Sequence, residues 1–371
     1  MKAAEFFAGI GLVGMALEQS GWDVVFANDI DPKKFEIYQQ NFDAKPYVLG
    51  DIRGLKSGMI PAVDLATASF PCTDLSLAGN RAGLKGTHSS TYWEFFRLLK
   101  ELGSKRPDFV LLENVLGLLT SHSGADLREI VKSLNELGYM CDLLAVDAAW
   151  FTPQSRPRLF VVASRGLANH SLPLLIQHPA RPKSVSEFIF RNRDLNWRFS
   201  KLPPLRMRRK SLSQIVEKVR KTSITWWNSQ RKGHLYSQMS PRHKEILRTM
   251  TSCKSLQYAT VYKRVRPSGC MAELRFDGMA GCLRTPRGGS SKQFLIEAGR
   301  GSWRVRNMTA REYARLQGAP DSFRMDGPEN NALLGFGDAV CVPAVSWIIR
   351  HCINTNLRQP RFHENGYAKG A

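Results

Sequence analysis

Two reactive side chains stand out in this 371-residue chain: the thiol of Cys72 in Phe70-Pro71-Cys72, and the carboxyl of Glu113 in Glu113-Asn114-Val115. A cysteine thiolate is a strong nucleophile. A glutamate can give a proton or a hydrogen bond to the atom that becomes electron-rich after attack. Each follows a short, continuous apolar run, residues 64–69 and 109–112, flanked by turn or charged residues. Such runs read as strands buried on both faces of a parallel sheet. Ligands gather at the carboxyl ends of those strands, so the two groups are expected at one site. Taken singly, Cys72 reads as well as a core thiol, and Glu113 as a strand-end carboxylate with a local basic partner. Their delivery to one sheet edge outweighs both.

The elements that must position them alternate through the first half. Ala3 to Phe7 reads as a strand, Gly9-Ile10-Gly11 turns into a helix reaching Ser20-Gly21, Asp23 to Asn28 is a second strand, and Pro32 opens a helix to about Phe42. Further strands are predicted at 47–49, 64–69, 109–113, 139–146 and 159–163, with helices at 92–103 and 125–137. The pattern predicts an α/β fold with a doubly wound, mostly parallel, Rossmann-like sheet. Gly9 and Gly11 could cradle a phosphate, although Gly14 completes GxGxxG by spacing alone and the signal is weak. Asp29 at the end of the second strand suits a ribose diol, and Asp51 after the third suits an adenine amino group; helix capping explains either aspartate as well. Near the other end, Thr309 with Glu312 predicts a capping box for a helix over 310–317. Val340 to Ile353 reads as an apolar helix, with Pro343 early, that packs back on the first domain.

Charge divides the chain more sharply than its +21 total suggests. From Arg181 to Arg306 there are 29 Lys+Arg against 7 Asp+Glu, while the rest has 24 against 25. A segment so one-sided repels itself unless a polyanion lies alongside, and nucleic acid is the first expectation. Trp197, Trp226, Trp227, Tyr258 and Tyr262 are interleaved with its basic residues, although for most of them a small core is the preferred reading. No run of eighteen apolar residues or clear basic amphipathic helix favours a membrane, and Glu5 interrupts the apolar start, so a cytosolic protein is expected. The seven cysteines form no CxxC pair, which indicates neither a zinc site nor a disulfide framework; metal-free catalysis is the expectation. The predicted organisation is a catalytic and cofactor-binding domain over 1–175, a basic target-recognition domain over 176–327, a returning helix over 328–356 and a loose tail over 357–371.

The order of motifs resembles the C5-cytosine DNA methyltransferases. Phe6-Phe7-Ala8-Gly9-Ile10-Gly11 is similar to the loop that holds the methionine part of S-adenosylmethionine, Asn28-Asp29-Ile30-Asp31 to the ribose segment, and Gly50-Asp51-Ile52 to the adenine contact. Phe70-Pro71-Cys72 resembles the nucleophile loop, Glu113-Asn114-Val115 the ENV motif and Gln154-Ser155-Arg156-Pro157-Arg158 the QxRxR motif. Residues 308–312 with Arg315-Leu316-Gln317-Gly318, then Gly337-Asp338-Ala339-Val340, resemble the closing motifs. Only about 166–305 is unmatched in detail, where the family places its variable DNA-reading domain. Thr73, Asp338 and Leu12 stand where the family usually has Gln, Asn and Gly.

The resemblance implies Cys72 as nucleophile, Glu113 as the group at ring nitrogen 3, and Arg156 and Arg158 as holders of the glutamate and the base's carbonyl oxygen. It implies S-adenosylmethionine as cofactor, contacted by Phe7, Gly9, Gly11, Asp29, Ile30, Asp51, Ile52, Pro71, Asp338, Ala339 and Val340. Attack on a stacked cytosine is impossible, so the base must be flipped out. Residues 76–88, with glycines 79, 83 and 86 as hinges, read as a lid whose Ser76, Arg81 and Lys85 touch DNA. Arg275, Arg284, Arg287 and Lys292 are candidates for reading the duplex. Double-stranded DNA is the expected partner, a cognate restriction endonuclease a further one, and a monomer the expected state. A tRNA cytosine methyltransferase is the alternative that shares the catalytic motifs. A nicotinamide dehydrogenase would leave Cys72, Glu113 and the arginines unexplained.

Overall fold

Short apolar runs and helices alternate through residue 165 and assemble into a seven-stranded sheet. Its strands are β1 (Lys2–Phe6), β2 (Asp23–Asp29), β3 (Tyr47–Leu49), β4 (Leu65–Ala68), β5 (Phe109–Val115), β6 (Tyr139–Asp147) and β7 (Pro157–Arg165), in the order β3-β2-β1-β4-β5-β7-β6. The computed structural model describes residues 1–71, 91–165, 178–205, 211–220, 222–266, 269–285 and 292–357. All neighbours from β3 through β5 pair parallel, and β7 runs antiparallel between β5 and β6. The chain winds outward from β1 to β3, then crosses to β4 and winds the other way. The crevice between the carboxyl ends of β1 and β4 is therefore the topological switch point, where such sheets take their ligands.

Alternate side chains of the central strands feed two cores, as the period of a strand buried on both faces requires. One face, with Ala3, Leu65, Leu111 and Phe160, packs under α1 (Leu12–Glu18), behind which α2 (Pro32–Tyr38) follows. The other, with Ala4, Ala66, Val110 and Val161, packs under α3 (Thr91–Glu101), α4 (Ala125–Glu136) and α5 (Lys183–Arg191). Residues 178–205 belong to this second layer. Ala145 N donates to Ala180 O at 2.8 Å, and Arg181 makes a buried ion pair with Asp142 at 2.7 Å. Trp197 is 6% exposed against Phe188 in this core, so its sequence proximity to arginines reflects packing on the sheet.

The basic segment has a smaller core of its own. After α6 (Ser229–Ser237) and α7 (Pro241–Ser252), strands β8 (Gln257–Arg266), β9 (Gly269–Arg275), β10 (Phe294–Gly299) and β11 (Ser302–Asn307) form an antiparallel sheet in the order β11-β10-β8-β9. Leu247, Val261, Ile296 and Val305 fill it, with Trp227 set edge-on to Phe294. Trp226 instead lies under the Arg304 guanidinium at 3.9 Å.

The chain then returns to the large sheet. Thr309 and Glu312 make both bonds of the expected capping box on α8 (Ala310–Leu316). α9 (Glu329–Asp338) and α10 (Val342–Ile348) follow. The apolar helix expected from Val340 begins at Val342, with Pro343 in its first turn, and widens into a π turn over Ile349–Ile353. It packs on α1, where Ser346 Oγ donates to Ala16 O at 3.4 Å and Trp22 Nε1 to Asn354 Oδ1 at 2.8 Å. The stretch Glu329–Ile353 is long and apolar enough to cross a membrane, but its apolar residues are mostly buried in this packing.

Candidate active site

β1 ends in a loop that only unusual backbone angles can make. Phe7, Gly9 and Gly11 have φ of 59°, 57° and 84°. A Cβ on Gly11 would lie 2.4 Å from Phe42 Cε2, so both its conformation and its space demand glycine. The loop is pinned to β2: Gly9 N donates to Asp29 Oδ2 at 2.8 Å, and Asp31 N to Asp29 Oδ1 at 2.9 Å. Asn28, also in β2, donates to Val48 O and Gly50 O at 2.8 and 2.9 Å, which fixes the turn carrying Asp51. Asp51 accepts from Arg53 N and pairs with the Arg53 guanidinium at 3.1 Å. Ile30 is 63% exposed beside this loop, an apolar side chain available to a flat ligand. Ile52, by contrast, is buried in the core below.

Beneath the loop lies a group that the sequence did not single out. Glu5 is fully buried, and neither carboxylate oxygen makes a well-aligned hydrogen bond among the described residues, the Gly14 backbone N–H acting on it only in part. Burial, opposed by the Gly14 backbone N–H and helped by the charges of Asp29 and Glu18, pushes its pKa up to about 8. A Cβ on Gly14 would lie 2.7 Å from Glu5 Oε2, which is the packing reason for that third glycine.

The loop leaving β4 meets the end of β5 next door. Parallel register sets Ala68 beside Leu112, and Asn114 Nδ2 donates to Phe70 O at 3.2 Å, tying the Phe70-Pro71 segment to the Glu113 strand. Cys72 follows at once, outside the described residues, as do Ser76, Arg81, Lys85 and Arg287. Antiparallel β7 then brings Arg158 opposite Val115, and its Nε lies 3.0 Å from Glu113 Oε1, with both side chains largely buried.

Arg156 has a different set of partners. Its guanidinium, on a residue 2% exposed, donates to Leu283 O at 2.8 Å, Ala339 O at 2.7 Å and Gly337 O at 3.1 Å. Gln154 works beside it: Leu283 N donates to its Oε1 at 3.2 Å, and its Nε2 donates to Leu316 O at 3.0 Å. Gln317 in turn donates to Phe336 O and Ala339 O. Arg156 thus clamps three segments together, whereas Arg158 faces the carboxyl.

Cys282 lies against both arginines, its Sγ 3.4 Å from Arg156 Nη1 and 3.9 Å from Arg158. Burial pushes this thiol up, yet the two guanidinium charges prevail and hold it below the ordinary cysteine range. No sequence signal pointed to Cys282. Asn114 and Gln154 lay inside quoted motifs but carried no role. Across the opening, Asp338 at the end of α9 pairs with Lys34 of α2 at 2.8 Å and accepts from the Thr285 hydroxyl. Ala339 is partly exposed beside it and Val340 is buried. Of the expected duplex-reading residues, Arg284 is exposed and Lys292 partly so, while Arg275 is engaged by Asp277 at 2.9 Å.

A switch-point crevice lined by a glycine loop and by acidic strand ends, with the Phe70-Pro71 segment tied to the strand of an arginine-held glutamate, defines a doubly wound fold of the nucleotide-binding type. The same fold occurs in a Dnmt2 methyltransferase from S. pombe, which aligns with a TM-score of 0.63 at 19% identity over 96% of this chain and 99% of that one. The sequence goes further: residues 1–354 match the C-5 cytosine-specific DNA methylase family, and the chain belongs to it. Among its relatives, the Type II methyltransferase M.NgoBI of Neisseria gonorrhoeae is 26% identical over 95% of this chain and 92% of its own length. M.Bsp6I of a Bacillus strain is 26% identical over 96% and 100%.

Proposed function

We propose that the protein methylates carbon 5 of a flipped cytosine in duplex DNA, with S-adenosylmethionine as the methyl donor, as the modification half of a restriction-modification pair. The observation that carries this is the Asn114 to Phe70 tie, which binds the residue two positions ahead of Cys72 to the strand bearing Glu113.

Carbon 5 of cytosine is too poor a nucleophile to accept an alkyl group unaided. The Cys72 thiolate adds to carbon 6, forming a C–S bond, while the ring π electrons move toward nitrogen 3. Glu113, oriented by Arg158, gives its proton to that nitrogen, leaving an enamine with electron density at carbon 5. The cofactor, when bound, supplies an electrophilic methyl group on a sulfonium. After transfer a base takes the carbon 5 proton, the C–S electrons return to the sulfur, and Glu113 recovers its proton. Arg156 acts as a positioning residue that joins the β6–β7 turn, the 282–283 segment and the 337–339 turn around this chemistry.

The cofactor fits what the chain offers. The glycine loop presents backbone without side chains at Gly9, Asp29 at the end of β2 suits a ribose and Asp51 after β3 an adenine, and Ile30 offers an apolar face. The buried carboxyl of Glu5 lies below.

The test uses a duplex oligonucleotide carrying 5-fluorocytosine, whose C–F bond blocks the final elimination. Incubation with the methyl donor should leave a covalent adduct that peptide mapping places on Cys72. An adduct on another residue, or methylation of an exocyclic amine in unmodified plasmid, overturns the proposal; so does transfer of labelled methyl to tRNA and not to DNA.

A further inference from the structure

One cation at the glycine loop belongs to none of the motifs. Lys34, in the first turn of α2, reaches back over Gly9: a Cβ there would lie 3.8 Å from Lys34 Cδ and 4.0 Å from Asp29 Oδ2. Its Nζ is 2.8 Å from Asp338 Oδ2, and its side chain is 19% exposed. Asp29 and Asp31 also act on its charge. Burial works against the ammonium, but Asp338 and Asp29 more than offset this and hold its pKa above the usual lysine value. Partial burial likewise opposes ionisation of Asp338, while Lys34 and the Thr285 hydroxyl keep it below the usual carboxylate range. The pair is charged at any working pH.

Three carboxylates around one ammonium leave this corner negative overall. S-adenosylmethionine carries a sulfonium, an ammonium and a carboxylate, so its net charge suits such a corner. Its carboxylate does not, unless a cation stands among the aspartates. Lys34 is that cation, and an ammonium has three donors, of which Asp338 takes one. Asp338 is also the place where this chain departs from the family's usual asparagine. A neutral side chain needs no counter-ion; an aspartate beside an anionic ligand does.

We propose that Lys34 receives the carboxylate at the amino-acid end of the cofactor, with Asp338 as the positioning residue that fixes its ammonium. The proposal rests on the reading that residues 7–11 hold S-adenosylmethionine. It makes the Lys34–Asp338 pair a local substitute for the asparagine of its relatives.

Calorimetry with two ligands tests it: S-adenosylhomocysteine, which has the amino-acid end, and 5′-deoxy-5′-methylthioadenosine, which lacks it. Lys34→Met should weaken the first by ten-fold or more and leave the second within two-fold. Asp338→Asn should weaken the first several-fold, again without touching the second, and Lys34→Arg should restore most of the affinity. Retained binding of the truncated ligand shows that the variants fold. Equal weakening of both ligands would mean that the pair only holds the loop together, and unchanged S-adenosylhomocysteine binding in Lys34→Met would remove the lysine from the site; either result overturns the proposal. A wild-type protein that binds neither ligand would instead bring down the cofactor reading itself.

Discussion

Glu113 and Glu5 are both largely enclosed carboxyls, and their partners set their tasks apart. Glu113 has Arg158 at 3.0 Å, which fixes the direction of its carboxyl at the end of β5. Glu113→Gln keeps the shape and a hydrogen bond but cannot exchange a proton, and the turnover of methyl transfer should fall on the order of a hundred- to ten-thousand-fold in single-turnover assays, with DNA affinity held. Glu5 has no such partner and stays protonated to about pH 8 in the folded protein, against an ordinary value of 4.5. Between those values the folded state binds the extra proton, so stability falls as pH rises through that window. Glu5→Gln should flatten the decline: the wild-type Tm drops by several degrees between pH 5 and pH 8, and the variant's should not. Neither side chain's surroundings could be read from neighbours in sequence. Glu113 meets Arg158 across an antiparallel pair, 45 positions on in the numbering.

At the level of elements, the turns do the positioning. Gly11 closes β1 into α1 with φ of 84° and no room for a Cβ against Phe42 and Tyr38. Gly11→Ala is expected to cost about 1–3 kcal/mol from the backbone alone, and to lower affinity for S-adenosylhomocysteine because the loop must shift; equal Tm and affinity would show that the loop tolerates the change. The alternation of strand and helix was legible because parallel strands buried on both faces make continuous apolar runs. Their ends were less so. β7 begins at Pro157, two residues ahead of the expected Leu159, because Arg158 is buried by its pairing with Glu113 and does not act as a polar boundary. The final helix is shorter at its start for a related reason: Val340 and Cys341 belong to the turn clamped by Arg156 and Gln317.

Across the whole molecule, the segment after β9 meets the end of α9 closely at Gly337, where a Cβ would lie 2.7 Å from the carbonyl of Arg284 and from Thr285 N. Gly337→Ala should push the two segments apart, weakening DNA binding with methylthioadenosine binding intact. The positive charge of residues 181–306 is expected to make DNA affinity strongly salt-dependent. Charge reversal at Arg284 and Lys292 should reduce the slope of log affinity against log salt by about 0.9 for each phosphate that is no longer neutralised; an unchanged slope would place the DNA elsewhere. We propose that the reading unit is centred on residues 229–307, since 178–205 packs on the large sheet and α8 returns to it.

The chain's sequence by itself determined the doubly wound class of the sheet and the family, and proposed the reactive groups, because periodicity, glycine placement and motif order are local properties that survive without coordinates. It also placed the charge excess in one segment. Only tertiary structure decided which charges find each other. Lys34 with Asp338, Arg181 with Asp142 and Arg306 with Glu312 at zero exposure are pairings between elements that folding alone brings together. The division between Arg156, spent on carbonyls, and Arg158, facing Glu113, has the same cause. The two arginines are neighbours in one motif, and what waits for each is set by chain that arrives more than a hundred residues later or some forty earlier.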